Sequence, residues 1–348
     1  MNNFTISNIE KQVLDGKPLS PKQARFLVGL ENDHLLDLFR LTSRVREKLF
    51  GNKVRCCSIV AAKVGGCNQD CAFCSQSSRY KTHVKNTTTL EQDDLYQAVL
   101  NTASNGAESV GIVTSGHRPS DSQIEHWSHV IQRIRSIGSV RVCASMGIVD
   151  RDQARRLARI GVQRYNLNLQ TSRAFYPQIV STHQYDDRLR SIQYLKAAGI
   201  SICCGALFGM GETWTDRIDL ALELRNLDVD TVPINFLIPI NGTPLADIQP
   251  LESLECLKII ALYRLMLPRQ QIKIAGGREA NLRDLQSWIF AAGADSFLIG
   301  NYLTTCGRNP ESDRQMVRDL GLVLEPYRQA DHINDNALDS TLSLQNAY

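Results

Sequence analysis

Eight short apolar runs alternate with amphipathic stretches between residues 57 and 299, and few folds accommodate that rhythm. The runs are Cys57–Ala62, Ser109–Thr114, Arg141–Ser145, Arg164–Leu169, Ser201–Phe208, Thr231–Leu237, Gln271–Ala275 and Ser296–Ile299. Between them lie Leu90–Ser104, Asp121–Ile137, Asp150–Ile160, Tyr185–Ala198, Thr213–Leu227, Leu251–Met266 and Leu282–Gly293, with apolar residues at helical spacing. Strands separated by helices predict a parallel sheet, and eight such units predict a (β/α)8 TIM-type barrel of the α/β class. An open, doubly wound sheet is the alternative. The alternation carries no Rossmann glycine fingerprint, which favours the barrel.

The flanks differ from this pattern. Residues 1–50 read as an N-terminal helical extension, with Ser20 as an N-cap and Pro21 in the first turn. Residues 51–325 form the expected barrel. Residues 326–348, rich in Asp, Asn and Ser, read as a mobile C-terminal tail. A net charge of +3 gives no reason to expect a nucleic-acid or membrane partner. No apolar run reaches the roughly 18 residues of a bilayer span, and the N-terminus lacks a secretion signal. The ten cysteines are therefore expected in a reducing cytoplasm. Cys56, Cys57, Cys256 and Cys306 read as unpaired thiols.

Three further cysteines carry chemistry. Cys67, Cys71 and Cys74 form a C-x3-C-x2-C run in a loop made polar and flexible by Gly65, Gly66, Asn68, Gln69 and Asp70. It follows the first apolar run, at the barrel face where chemistry resides. Zinc is one reading, but zinc sites usually add a second cysteine or histidine pair. Here the next cysteine is Cys143. Short local cysteine runs also hold iron–sulfur clusters. Three thiolates on a [4Fe–4S] cluster leave one iron open to bind and reduce a small molecule. The open cluster is the favoured reading.

The segment Cys67–Tyr80 closely resembles the cluster loop of biotin synthase, a radical S-adenosylmethionine (SAM) enzyme. The resemblance extends over residues 20–325 through Arg164–Ser172, Ser181–Arg188, Gly209–Thr213, Val232–Asn235, Asn241–Leu245, Gly276–Glu279 and Tyr302–Thr305. It implies that Cys67, Cys71 and Cys74 hold the [4Fe–4S] cluster and that SAM binds the open iron. One electron then yields methionine and a 5′-deoxyadenosyl radical, which takes hydrogen from dethiobiotin so that sulfur can be inserted. By the same resemblance Arg188 pairs with the methionine carboxylate. Asn168 and Asn235 hold substrate and, for Asn168, cofactor. Phe73 lies near adenine, and Gly209–Thr213 helps enclose the cofactor, although Thr213 equally suits a helix N-cap. The family string Asn-His-Asn-Leu-Asp reads Asn166-Leu-Asn-Leu-Gln170 here, which leaves Gln170 as the ribose contact. A flavodoxin or ferredoxin donor and a homodimer are implied as well.

The family's second cluster, a [2Fe–2S] centre, has three cysteines and an arginine as ligands. Cys143, Cys203 and Arg278 match three of these. Gly111 stands at the fourth place and has no side chain to offer. Cys204 is a substitute only if a bulge turns it inward, because adjacent strand residues face opposite ways. Three readings remain: altered ligands, a paralogue without sulfur insertion, or relict core thiols. Biotin synthesis from dethiobiotin is the leading expectation. A radical SAM paralogue acting on another small molecule comes second. A non-catalytic iron–sulfur carrier would have no use for Arg188 or a cofactor pocket.

Overall fold

In a computed structural model that describes residues 4–327, the expected strands close into a barrel. They are β1 (Lys53–Lys63), β2 (Ser109–Thr114), β3 (Arg141–Ser145), β4 (Arg164–Asn166), β5 (Ser201–Cys203), β6 (Ala206–Phe208), β7 (Thr231–Phe236), β8 (Gln271–Ile274) and β9 (Ser296–Leu298). All neighbours are parallel, and β9 pairs back onto β1 through Arg55, Cys56 and Cys57. A short β10 (Val323–Leu324) adds to the start of β1.

One expected run is divided. Between β5 and β6 the chain passes Gly205 against Pro233 of β7; a Cβ at 205 would lie 2.0 Å from the Pro233 carbonyl oxygen. Only glycine fits there, so β5 and β6 make one interrupted stave, both paired with β7. Six of the seven expected helices form within two residues of their predicted ends. The seventh does not. Residues 278–282 form a short α-helix and 283–289 a 3₁₀ segment. Gly277 (φ 78°) and Arg283 (φ 48°) turn the chain at each end of the short helix.

Ahead of the barrel, helices Ile6–Leu14, Pro21–Val28 and Leu35–Phe50 pack on its outer layer. Ser20 caps the second of them in a reciprocal box with Gln23. A buried ion pair, Arg264 with Asp295, ties the helix Ser253–Met266 to the approach to β9. Among the described residues no helix is long and apolar enough to cross a membrane. The stretch read as a tail lies, from residue 328, outside the described residues.

Candidate active site

The cysteine loop leaves β1 and folds over the barrel mouth. It is pinned at both ends: Cys67 N–H donates to Gln76 O (3.1 Å) and Ser78 N–H to Cys67 O (2.7 Å). Asp70 fastens it to the far wall, accepting hydrogen bonds from the backbone N–H groups of Ser181 and Thr182 and from both hydroxyls. Partial burial opposes ionisation of this carboxyl, but the four hydrogen bonds outweigh it and hold its pKa well below the carboxylate range.

Cys67, Cys71 and Cys74 are half-buried free thiols around one cavity of about 210 Å³, shared with His183 and Arg188. Burial pushes the Cys71 thiol up to about 12 against the pull of Arg188, and burial raises Cys74 too. A cation that replaces those protons is what such sulfurs favour. Among the described residues no three His, Cys, Asp or Glu side chains are gathered as a single metal ion requires. Three thiols lining one mouth suit an iron–sulfur cluster, each sulfur taking its own iron.

Arg188 is held from three sides. Its Nε donates to Tyr176 Oη (2.6 Å), Nη1 to Asn168 O (2.9 Å) and Nη2 meets His183 Nε2 at 3.0 Å. The neighbouring carboxylates do not claim it, since Asp186 pairs with Arg173 and Asp187 with Arg190. For His183 to accept from Arg188, its proton must sit on Nδ1, where it reaches Gln69 Oε1 at 3.0 Å. Burial, then Arg188 and His117, push this imidazole down to about 4.

A second cavity of about 370 Å³ runs down the barrel axis. Phe73, Asn168 and Gln170 line both cavities and form the wall where they join. Gln170 occupies the left-handed region (φ 74°), sparsely populated for a residue with a side chain. Asn235 lines only the inner cavity; its amide donates to Ala206 O (2.9 Å) and accepts from Gly276 N–H (2.9 Å), lacing three staves together. The Gly209–Thr213 turn lines neither cavity. Glu212 accepts from the N–H groups of Gly209 and Met210, and Thr213 caps the next helix, so that segment is a structural corner.

The floor of the inner cavity corrects two expectations. Cys143 and Cys203 face it as expected, but Arg278 does not. The Arg278 guanidinium pairs with Asp313 at 2.7 Å and lies over Phe297, away from the cysteines. Lys273 on β8 stands there instead, its Nζ 3.3 Å from Cys203 Sγ. Cys57, read from sequence as an unpaired thiol, joins Cys143 and Cys203 in lining this cavity, which Cys74 borders from the mouth; it lies one pleat before Ile59 on β1. The core joins Cys56, Cys204 and Cys256 but not Cys57, Cys143 or Cys203. Cys204 therefore points away, as strand alternation requires. Gly111 lies level with Ile59 on one side and Cys143 on the other. Burial pushes the Cys143 thiol up to about 12, with Arg164 opposing. Arg164 also lines the floor, and its Nε is buried without a hydrogen-bond partner. Burial disfavours charge on Lys273, yet Cys203 and then Cys57 outweigh it and raise its pKa. Three thiols beside two buried cations make a donor set suited to an anionic iron–sulfur cluster. Cys57 and Lys273 were legible from strand parity.

A parallel barrel with three cysteines crowded at the C-terminal end of its first strand defines a radical SAM enzyme. The Radical SAM superfamily profile matches residues 63–224, and that of the Biotin and Thiamin Synthesis associated domain matches residues 233–323. The chain is 49% identical to a biotin synthase of Trichlorobacter lovleyi over 92% of its own length and 96% of the relative's. It is 45% identical to one of Heliobacterium modesticaldum, covering 91% and 97%. It belongs to the biotin synthase family, whose members are radical SAM sulfurtransferases using a [4Fe–4S] cluster, SAM and a [2Fe–2S] cluster. Solved structures agree on the fold. Methylornithine synthase superposes with a TM-score of 0.79 at 22% identity, covering 93% of this chain and 98% of that one. The hydrogenase maturase HydG of Carboxydothermus hydrogenoformans gives 0.78 at 18%, covering 92% and 79%.

Proposed function

We propose that this chain inserts sulfur into dethiobiotin, using Cys67, Cys71 and Cys74 as ligands of the [4Fe–4S] cluster and Cys57, Cys143 and Cys203 as ligands of an auxiliary iron–sulfur cluster. Held by Cys67, Cys71 and Cys74 at the mouth, the first cluster would supply the electron for reductive cleavage of SAM. Arg188, oriented by Tyr176, Asn168 and His183, receives the methionine carboxylate. Phe73 offers a face to adenine. Asn168 and Gln170, at the junction, contact cofactor and substrate together. Asn235 offers its remaining amide proton to the ureido ring. Closure of the barrel below them keeps bulk water from a reactive carbon radical.

The observation that carries this reading is the floor of the inner cavity. The set Cys143, Cys203 and Arg278 does not fit an auxiliary cluster, because Gly111 has no donor and Arg278 faces Asp313. Cys57 restores the third sulfur, while Lys273 and Arg164 supply positive charge. A cytoplasmic setting would keep the cluster thiols reduced. Flavodoxin or ferredoxin serves as electron donor and the working unit is a homodimer.

The test is anaerobic reconstitution, an iron and sulfide count per chain, then incubation with SAM, reductant and dethiobiotin. Biotin accompanied by iron beyond that of one [4Fe–4S] cluster supports the reading. Formation of 5′-deoxyadenosine without biotin would assign the chain to a different substrate, and absence of 5′-deoxyadenosine would remove the radical chemistry.

A further inference from the structure

An electron must reach the mouth from outside the chain, and the surface beside the cysteine loop has one sign of charge. From Ser75 to Leu90 the sequence holds Arg79, Lys81, His83 and Lys85 and no acidic residue. All four side chains are exposed. Hydrogen bonds lace this strip to the cysteine loop. Ser78 donates its N–H (2.7 Å) and its hydroxyl (3.0 Å) to Cys67 O, Arg79 Nε donates to Asn68 O (2.8 Å), and Thr82 Oγ1 donates to Ser75 O (2.6 Å). Behind it the turn at Gly242 is so close that a Cβ there would lie 2.0 Å from Lys81 O. The strip is thus held in place against Cys67 instead of trailing in solvent. On the near side Asp70 is turned to the opposite wall and bound to Ser181 and Thr182; on the far side the next acids, Glu91, Asp93 and Asp94, belong to the start of the helix Gln92–Ser104, where Asp93 pairs with Arg133.

We propose that the strip Arg79–Lys85 is the docking surface for an acidic one-electron carrier protein, which delivers its electron at the Cys67 edge of the mouth. This rests on the reading that Cys67, Cys71 and Cys74 hold the [4Fe–4S] cluster. The reaction is a bare electron transfer: the carrier is oxidised by one electron, the cluster is reduced by one, and no bond or proton is exchanged. Carriers of this kind make small, transient interfaces in which charge complementarity sets the encounter rate. Cations gathered in one short loop act together within a Debye length of about 8 Å at physiological salt. A surface salt-bridge strip would carry partner acids; none of the four side chains here forms an ion pair among the described residues.

The experiment uses the reconstituted full chain and a purified acidic flavodoxin. Affinity for the oxidised flavodoxin is read from flavin fluorescence, and cluster reduction by the reduced flavodoxin is followed in a stopped-flow spectrometer. Lys81→Glu combined with Lys85→Glu is expected to weaken binding and slow reduction about tenfold or more at low ionic strength. Reduction by dithionite should change less than about twofold, because a small reductant needs no docking surface. In the unaltered chain, raising salt from about 50 to about 300 mM should slow the flavodoxin reaction and spare the dithionite one. Unchanged flavodoxin affinity and rate in the double variant, with dithionite reduction intact, would overturn the proposal. If the charge-reversed loop perturbs folding, Lys81→Gln with Lys85→Gln and the salt series decide the matter, and a salt-independent flavodoxin rate overturns it equally. Failure of dithionite to reduce the unaltered chain would instead discredit the cluster assignment beneath it.

Discussion

The Lys273 ammonium lies 3.3 Å from the Cys203 sulfur, inside the barrel and sealed from solvent. A buried ammonium is costly without a counter-charge, so the pair marks a place built to hold negative charge. Replacing Lys273 with Met removes the charge at similar volume. It should lower iron and sulfide beyond the first cluster while leaving 5′-deoxyadenosine formation intact. Lys273→Arg should keep most of the auxiliary iron. Metal and sulfide analysis beside the SAM-cleavage rate checks both.

Cys57 supplies a direct comparison. Cys57→Ser should cut auxiliary iron and abolish biotin formation, whereas Cys256→Ser, in the core, should cost at most about 1–3 kcal/mol of stability and no iron. Gly111→Cys is open to trial as well. A Cβ there meets Ile59 Cγ2 at 3.3 Å and the Ser58 carbonyl at 3.7 Å, so a small shift of Ile59 admits it. The variant should fold and raise auxiliary-cluster occupancy. No added iron would argue that position 111 does not reach the donor set.

At the mouth, Arg188→Lys keeps a charge but loses the fork that Tyr176, Asn168 and His183 orient. Loss of a charge-assisted hydrogen bond is worth about 1.5–3 kcal/mol, so SAM affinity should fall about 10–100-fold. Equilibrium binding of SAM to the reconstituted chain reads it out, and unchanged affinity would exclude Arg188 from the carboxylate contact.

His183 gives the pH dependence. Its folded value of about 4 lies below the ordinary 6.5. The folded chain prefers the neutral ring, which accepts from Arg188. That contribution is complete above pH 6.5 and drains away as pH falls towards 4, because the unfolded chain takes up the proton first. Urea midpoints should therefore drop between about pH 7 and about pH 5. His183→Gln should flatten that drop, and an unaltered pH slope in this variant would assign the effect to other groups.

The alternation of apolar runs and helices was enough to read the barrel, because each strand is short, buried and bounded by turn residues. The interruption at Gly205 was not legible, since it depends on Pro233 from another stave. Matching by residue type misplaced the floor cation. Strand alternation puts Lys273 and Ala275 inside β8's end of the barrel, whereas Gly277 turns the chain before Arg278 can face inward. Cys57 was missed for a related reason. Adjacent cysteines look alike in a sequence, but the pleat sends Cys56 into the core and Cys57 into the cavity. The three mouth cysteines were legible because their spacing is local; Cys143 and Cys203 were legible through the family resemblance alone, because the floor thiols come from separate strands and meet only on closure.

One strand, Lys53–Lys63, bears Cys57 low in the barrel and hands the chain on to Cys67 at the rim. An extended backbone scarcely stretches, advancing about 3.3 Å per residue. The span from Cys57 to Lys63 is thus a covalent ruler of about 20 Å. Removing two residues from it would keep every side chain on its face yet shorten the gauge between hydrogen removal and sulfur delivery. On the proposed assignment of Cys57 and Cys67 to two clusters, the number of peptide units between them is as much a catalytic specification as the sulfurs themselves.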